Sequence, residues 1–165
     1  MKVFSTKNLT VVISMLALLA ALGATASAES LKAFATRTAN DNGTNTHFFK
    51  ALDDAGATSL TFSTSLKNRL IKITYNAECA VLGPPQSWVS VTILVDGVEA
   101  NPKNGTDFGF CTATSTTNYE WIGAVRQSLI TLPKTGSHAV QVLVDLNNGA
   151  TNWWLGDTSM VVEAN

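Results

Sequence analysis

Charge is in short supply. Only 14% of the 165 residues are Asp, Glu, Lys or Arg, against about 25% in an ordinary globular chain. With 11 basic and 12 acidic residues, the chain has no basic field to hold a polyphosphate backbone. It also has no run of like charge to keep it unfolded. Nucleic-acid binding and disorder are both excluded. Histidine is scarcer still: His47 and His138 are the whole supply of imidazole for a Ser-His-Asp arrangement, and the G-x-S-x-G elbow is missing. Two cysteines, Cys79 and Cys111, and two histidines lack the close pairing of a structural zinc site. Helical periodicity is absent from every window of ten or more residues after residue 28, which leaves strands to build the fold.

Long apolar runs are limited to one. Lys2 and Lys7 precede a 14-residue apolar stretch, Leu9 to Leu22, and Ala26-Ser27-Ala28 ends it just before Glu29. This is the pattern of a cleaved secretory signal, and the stretch falls short of the roughly 20 residues that a membrane span needs. We expect residues 1–28 to be removed, residues 29–165 to form a single domain, and the mature protein to be secreted or periplasmic without entering the membrane. In an oxidising compartment an even cysteine count favours a Cys79–Cys111 disulfide.

What is present is alternation. Ile71, Ile73, Tyr75, Ala77 and Cys79 share one side of Arg69 to Cys79, with Lys72, Thr74, Asn76 and Glu78 on the other, the period of a half-buried strand. Trp88 to Val95 repeats the pattern, and Asp96-Gly97 then predicts a tight type I′ hairpin turn into Val98 to Ala100. Strands are also expected at Leu31 to Thr38, Thr46 to Leu52, Leu60 to Leu66, Phe108 to Thr112, Tyr119 to Leu132 with a bulge at Gly123, Ala139 to Leu146, Thr151 to Leu155 and Thr158 to Glu163. Turn signals separate them every 8 to 14 residues. The fold class this implies is all-β: a single-domain antiparallel β-sandwich or jelly roll.

Candidate chemistry is thin. Glycoside hydrolysis needs two facing carboxylates; Glu78, Glu120, Asp145 and Asp157 lie in or near strands, and outward-facing positions account for Glu78 and Asp145. Asp53-Asp54 reads as a turn. His138, at a strand entry, is expected to satisfy local backbone or cap the sheet end, and His47 to be a strand residue. Asp145-Leu146-Asn147-Asn148-Gly149 begins like a calcium loop. It then places Ala150 and Gly156 where an EF-hand needs glycine and glutamate. No cofactor or metal is expected. Aromatics are the distinctive supply: Trp88, Trp121, Trp153, Trp154 and Tyr119 cluster near strand ends, and such rings stack on sugar or apolar faces. Adjacent strand residues point oppositely, so Trp153 and Trp154 cannot both be core in a half-exposed strand.

Gly136-Ser137-His138-Ala139-Val140-Gln141-Val142 and Asp157-Thr158-Ser159-Met160-Val161-Val162 resemble the last strands of small bacterial exported β-sandwich proteins, a largely uncharacterised group. Ala77-Glu78-Cys79 and Phe110-Cys111-Thr112 look similar to the cysteine-bearing strands of that group. The strand order is also similar to jelly rolls of the tumour-necrosis-factor-like type, which implies trimers. The resemblance supplies no functional residues. We therefore expect a secreted, non-enzymatic module that binds a glycan or protein surface through the five aromatics. The alternatives are a small exported hydrolase using carboxylates or a metal, and a structural subunit of a homo-oligomer.

Overall fold

The computed structural model describes residues 30–44 and 46–164; the expected signal, residues 1–28, lies outside the described residues. The strands are β1 (Ser30–Arg37), β2 (Asp41–Gly43), β3 (Phe48–Phe49), β4 (Leu60–Thr64), β5 (Arg69–Leu82), β6 (Trp88–Val95), β7 (Val98–Glu99), β8 (Gly109–Thr112), β9 (Ile122–Leu132), β10 (Gly136–Asn147) and β11 (Asn152–Ala164). The first sheet runs β1-β11-β5-β9 and the second β3-β10-β6-β7, with β4 on β10 and β8 on β6. All pairs are antiparallel. Taking β1, β4, β5, β6, β8, β9, β10 and β11 in turn, every connection except β6–β8 crosses between layers, as expected of a two-sheet antiparallel sandwich.

The alternation explains the layering. Ile71, Ile73, Tyr75, Ala77 and Cys79 of β5 face Val89, Val91, Ile93 and Val95 of β6 and Val140, Val142 and Val144 of β10, all buried in one core. Each such aliphatic side chain contributes about 1.5–3 kcal/mol on leaving water. Cys79 and Cys111 form the expected disulfide, Cα–Cα 6.2 Å, tying β5 of one sheet to β8 of the other. The Asp96-Gly97 turn has φ of 51° and 78°, the two positive values that a type I′ hairpin requires.

Several sequence expectations are corrected. The two strands expected at 151–155 and 158–163 are one strand, Asn152–Ala164: inward positions run Trp153, Leu155, then Thr158, Met160, Val162, and a register shift between Gly156 and Ser159 absorbs the phase slip. Gly123 carries no bulge, because β9 pairs with β5 without interruption from Leu132 to Ile122. The expected strand at 46–52 shrinks to Phe48–Phe49, since His47 takes φ 62°. Asp145 is not exposed. It is buried on the outer side of the second sheet, with His47 Nδ1 3.3 Å from its carboxylate.

An internal ion cluster holds the short strand β2 against β11. Lys50, 0% exposed, donates to the Asp41 carboxylate and to the Ala51 carbonyl at 3.2 Å. Arg37 donates to the same carboxylate from Nε at 3.2 Å and Nη2 at 2.7 Å. Burial pushes the Lys50 ammonium down, an effect Asp41 partly offsets. Burial also works against the Asp41 charge, but hydrogen bonds from Arg37 and Lys50 hold that carboxyl below its ordinary value.

Candidate functional site

The five aromatics divide between three places. Trp153 is 2% exposed, its ring 5.6 Å from Phe48, and a Cβ at Gly43 would lie 3.3 Å from its indole. A ring enclosed this way is a core side chain with no face left for a ligand, so Trp153 leaves the candidate set. Trp88 is on the outer side of the second sheet, tethered by its Nε1 donating to the Thr106 carbonyl at 2.8 Å. Trp154 points from the opposite face of β11 and meets Tyr119 edge-on, ring centroids 3.7 Å apart. Trp121, 46% exposed, directly precedes β9 on the same parity as Gly123.

The outer face of the first sheet is therefore where Trp154 and Tyr119 meet, with Trp121 exposed just before β9. Register fixes its rows. Asn42, Trp154 and Ala80 form one row; Gly156, Glu78 and Gly123 form the next; Ser159, Asn76 and Val125 form a third. Alternate residues along a strand stand about 6.6 Å apart. Ala80 has an outward parity yet is 1% exposed, which shows how fully Trp154 and the loop carrying Tyr119 roof that end. Beyond the roof, Gly123 has no side chain, and a Cβ there would meet nothing within 4 Å. The result is a shallow trough of about 470 Å³ lined by Asn76, Glu78, Gly123, Val125 and Asp157 with backbone of Ala77 and Ala124.

Its polar groups are supplied at defined points. Asn76 donates from Nδ2 to Ser159 Oγ at 3.1 Å, which orients the amide and leaves its carbonyl oxygen as an acceptor. Glu78 is exposed on β5. Asp157 stands at the β11 bulge with φ 42°, which turns it out of the ladder. Sequence reading found the aromatics but not this trough. The available signal was the phase slip across Gly156-Asp157, which marks a bulge.

A second arrangement has the order of an acyl-transfer relay. His138 Nδ1 lies 2.6 Å from Asp96 Oδ2, and His138 Nε2 lies 3.3 Å from Thr64 Oγ1. Thr64 is 5% exposed and its hydroxyl also reaches the Lys134 carbonyl at 3.3 Å, so no substrate carbonyl can approach it. The relay is structural: it pins the β6–β7 turn to β10 and β4. Of the two roles expected of it, His138 does not satisfy local backbone; it bonds side chains at the end of the sheet. Among the described residues no group of three or more His, Cys, Asp or Glu could hold a metal, and no helix is long and apolar enough to cross a membrane.

No family model matches the chain, and no curated protein matches it. Among solved structures it is similar to the Podospora anserina GH26-CBM35 beta-(1,4)-mannanase, at 15% identity and a TM-score of 0.28. The match covers 82% of this chain and 26% of that one.

Proposed function

We propose that the protein is an exported, non-enzymatic glycan-binding module whose site is the aromatic-edged trough on the first sheet. The observation that carries the reading is Trp154, braced edge-on by Tyr119, beside a glycine-floored depression bearing Glu78, Asn76 and Asp157. Sugars present apolar C–H faces that stack on indole, and hydroxyls that bond carboxylate and amide oxygens. Both needs are met within three successive strand rows. The disulfide between Cys79 and Cys111 supports an extracytoplasmic home.

Affinity electrophoresis against a panel of soluble plant, fungal and bacterial polysaccharides tests the reading. At least one polysaccharide retards the wild type, and Trp154→Ala and the trough-filling Gly123→Phe both abolish the retardation. Equal mobility of wild type and Trp154→Ala in every gel refutes it. A second reading, an exported hydrolase, has one observation behind it: Glu78 and Asp157 line the same trough. Reducing-sugar release that disappears in Glu78→Gln selects that reading instead. A trimer of the kind the jelly-roll resemblance implies is tested by light scattering of the eluted peak, where a monomer mass excludes it.

A further inference from the structure

A second cavity lies away from the trough. A cleft of about 570 Å³ opens where the edge strands β7 and β9 of the two sheets approach each other. Its inner end is closed by a pair of 2.8 Å backbone hydrogen bonds between Asn101 and Leu129. The volume lies in the range of small-molecule sites, about 300–1,000 Å³. Val95 and Leu132 give it a buried apolar floor, and Val98, 52% exposed, stands at its lip.

The charges around the cleft are unevenly matched. Asp96 is taken by His138 at 2.6 Å and by the Ala139 N–H at 2.9 Å. Glu99 accepts the Gly105 N–H at 2.8 Å and faces the positive field of Arg126. Asp96 is thus held by an imidazole and an N–H, while Glu99 keeps its charge beside a single backbone donor and within reach of Arg126. Lys103 and Lys134 also line the cleft, and neither ammonium has an ion-pair partner among the described residues. The space left over is apolar in its depth and cationic at its rim.

We infer that this cleft binds a small amphipathic anion, with the apolar body on Val95, Val98 and Leu132 and an anionic head between Lys103 and Lys134. A polar anion such as phosphate would find no donors on the apolar floor. A neutral hydrocarbon would forgo the two lysines. The site is independent of the trough and of any glycan activity there.

The test compares three eight-carbon probes on the full chain by amide NMR titration: octanoate, octanol and octylammonium. Octanoate is expected to saturate with shifts concentrated at Val98, Leu132 and His138, octanol to bind more weakly and octylammonium not at all. The exposed pair Lys103→Ala and Lys134→Ala, combined, should weaken octanoate about 3- to 20-fold, as two partly solvated ion pairs would. Val98→Trp, which fills the lip, should abolish binding, while Trp154→Ala should leave it unchanged. Octanoate affinity that is unaltered by removal of both lysines overturns the inference. So do equal affinities for octanoate and octylammonium, and the lack of any saturable shift at the cleft.

Discussion

Replacing Asp41 by alanine should be among the most destabilising single changes in the first sheet, and its cost should depend on pH. Among the described residues the side chain is the sole carboxylate partner of Lys50, which is wholly buried. Without it the ammonium is stranded, a situation that costs about 3–5 kcal/mol. The alternative is deprotonation. Holding a lysine neutral at pH 7 against an ordinary value near 10.5 costs about 5 kcal/mol at 1.36 kcal/mol per pH unit. The two routes agree, and either one consumes a large part of the 5–15 kcal/mol typical of a domain. The sign follows from proton binding: the unfolded chain holds the Lys50 proton more tightly than the fold does. Stability of Asp41→Ala should therefore rise as pH increases from 7 towards 10, by up to about 1.4 kcal/mol per pH unit. Lys50→Met should behave differently, because Asp41 keeps Arg37; its cost should stay near or below 1 kcal/mol, and adding it to Asp41→Ala should recover most of the loss. Equilibrium urea unfolding followed by tryptophan fluorescence at pH 6, 7.5 and 9 measures all three variants. A loss under about 1 kcal/mol for Asp41→Ala, a flat pH profile, or a Lys50→Met variant as weak as Asp41→Ala refutes the reasoning.

Trp153→Ala should cost about 3–5 kcal/mol as a large core truncation, whereas Trp154→Ala, on the outer face, should lose polysaccharide affinity with far less change in thermal midpoint. Asp96→Asn keeps a residue suited to positive φ but removes the carboxylate that His138 and Ala139 bond. Burial opposes that charge, yet these donors hold its carboxyl below the ordinary range. Its contribution, about 1 kcal/mol for a partly exposed charged hydrogen bond, should be present above pH 4 and fade as pH falls lower, so wild-type and variant melting curves should converge in acid. Replacing both Cys79 and Cys111 by alanine opens a loop spanning 32 residues and should cost about 3–4 kcal/mol on the chain-entropy model, read as a shift in urea midpoint. The unreduced, denatured wild type should show no free thiol.

Strand alternation made most of the fold legible before any coordinates. Trp88–Val95 keeps its expected limits because one face is buried throughout and a dipeptide with two positive φ values ends it. The disulfide was legible from number and compartment alone. The bulge in β11 was missed because Gly156-Asp157 reads as a turn locally, and only pairing with β5 on one side and β1 on the other makes it a continuation. Trp153 and Trp154 were correctly separated by parity, but which of them faced inward depended on register with Val81 and Ala80. Apart from the phase slip at Gly156-Asp157, the trough left no trace in the sequence, since its lining comes from three strands that are remote in sequence. The pairing of Asp96 with His138, 42 residues apart, and the burial of Lys50 are equally non-local.

The place of β11 bears on how the chain acquires its structure. Ser30 at one end meets Ala164 at the other, and β11 lies between β1 and β5. Until residues 152–164 arrive, β1 has no neighbour and the first layer is only the β5–β9 pair. Such a sheet closes late, through contacts between distant parts of the chain, and slowly compared with a succession of local hairpins. Before residues 152–164 join, the second sheet, whose last strand ends at Asn147, can already be complete, so the two layers form in sequence and β11 closes the sandwich.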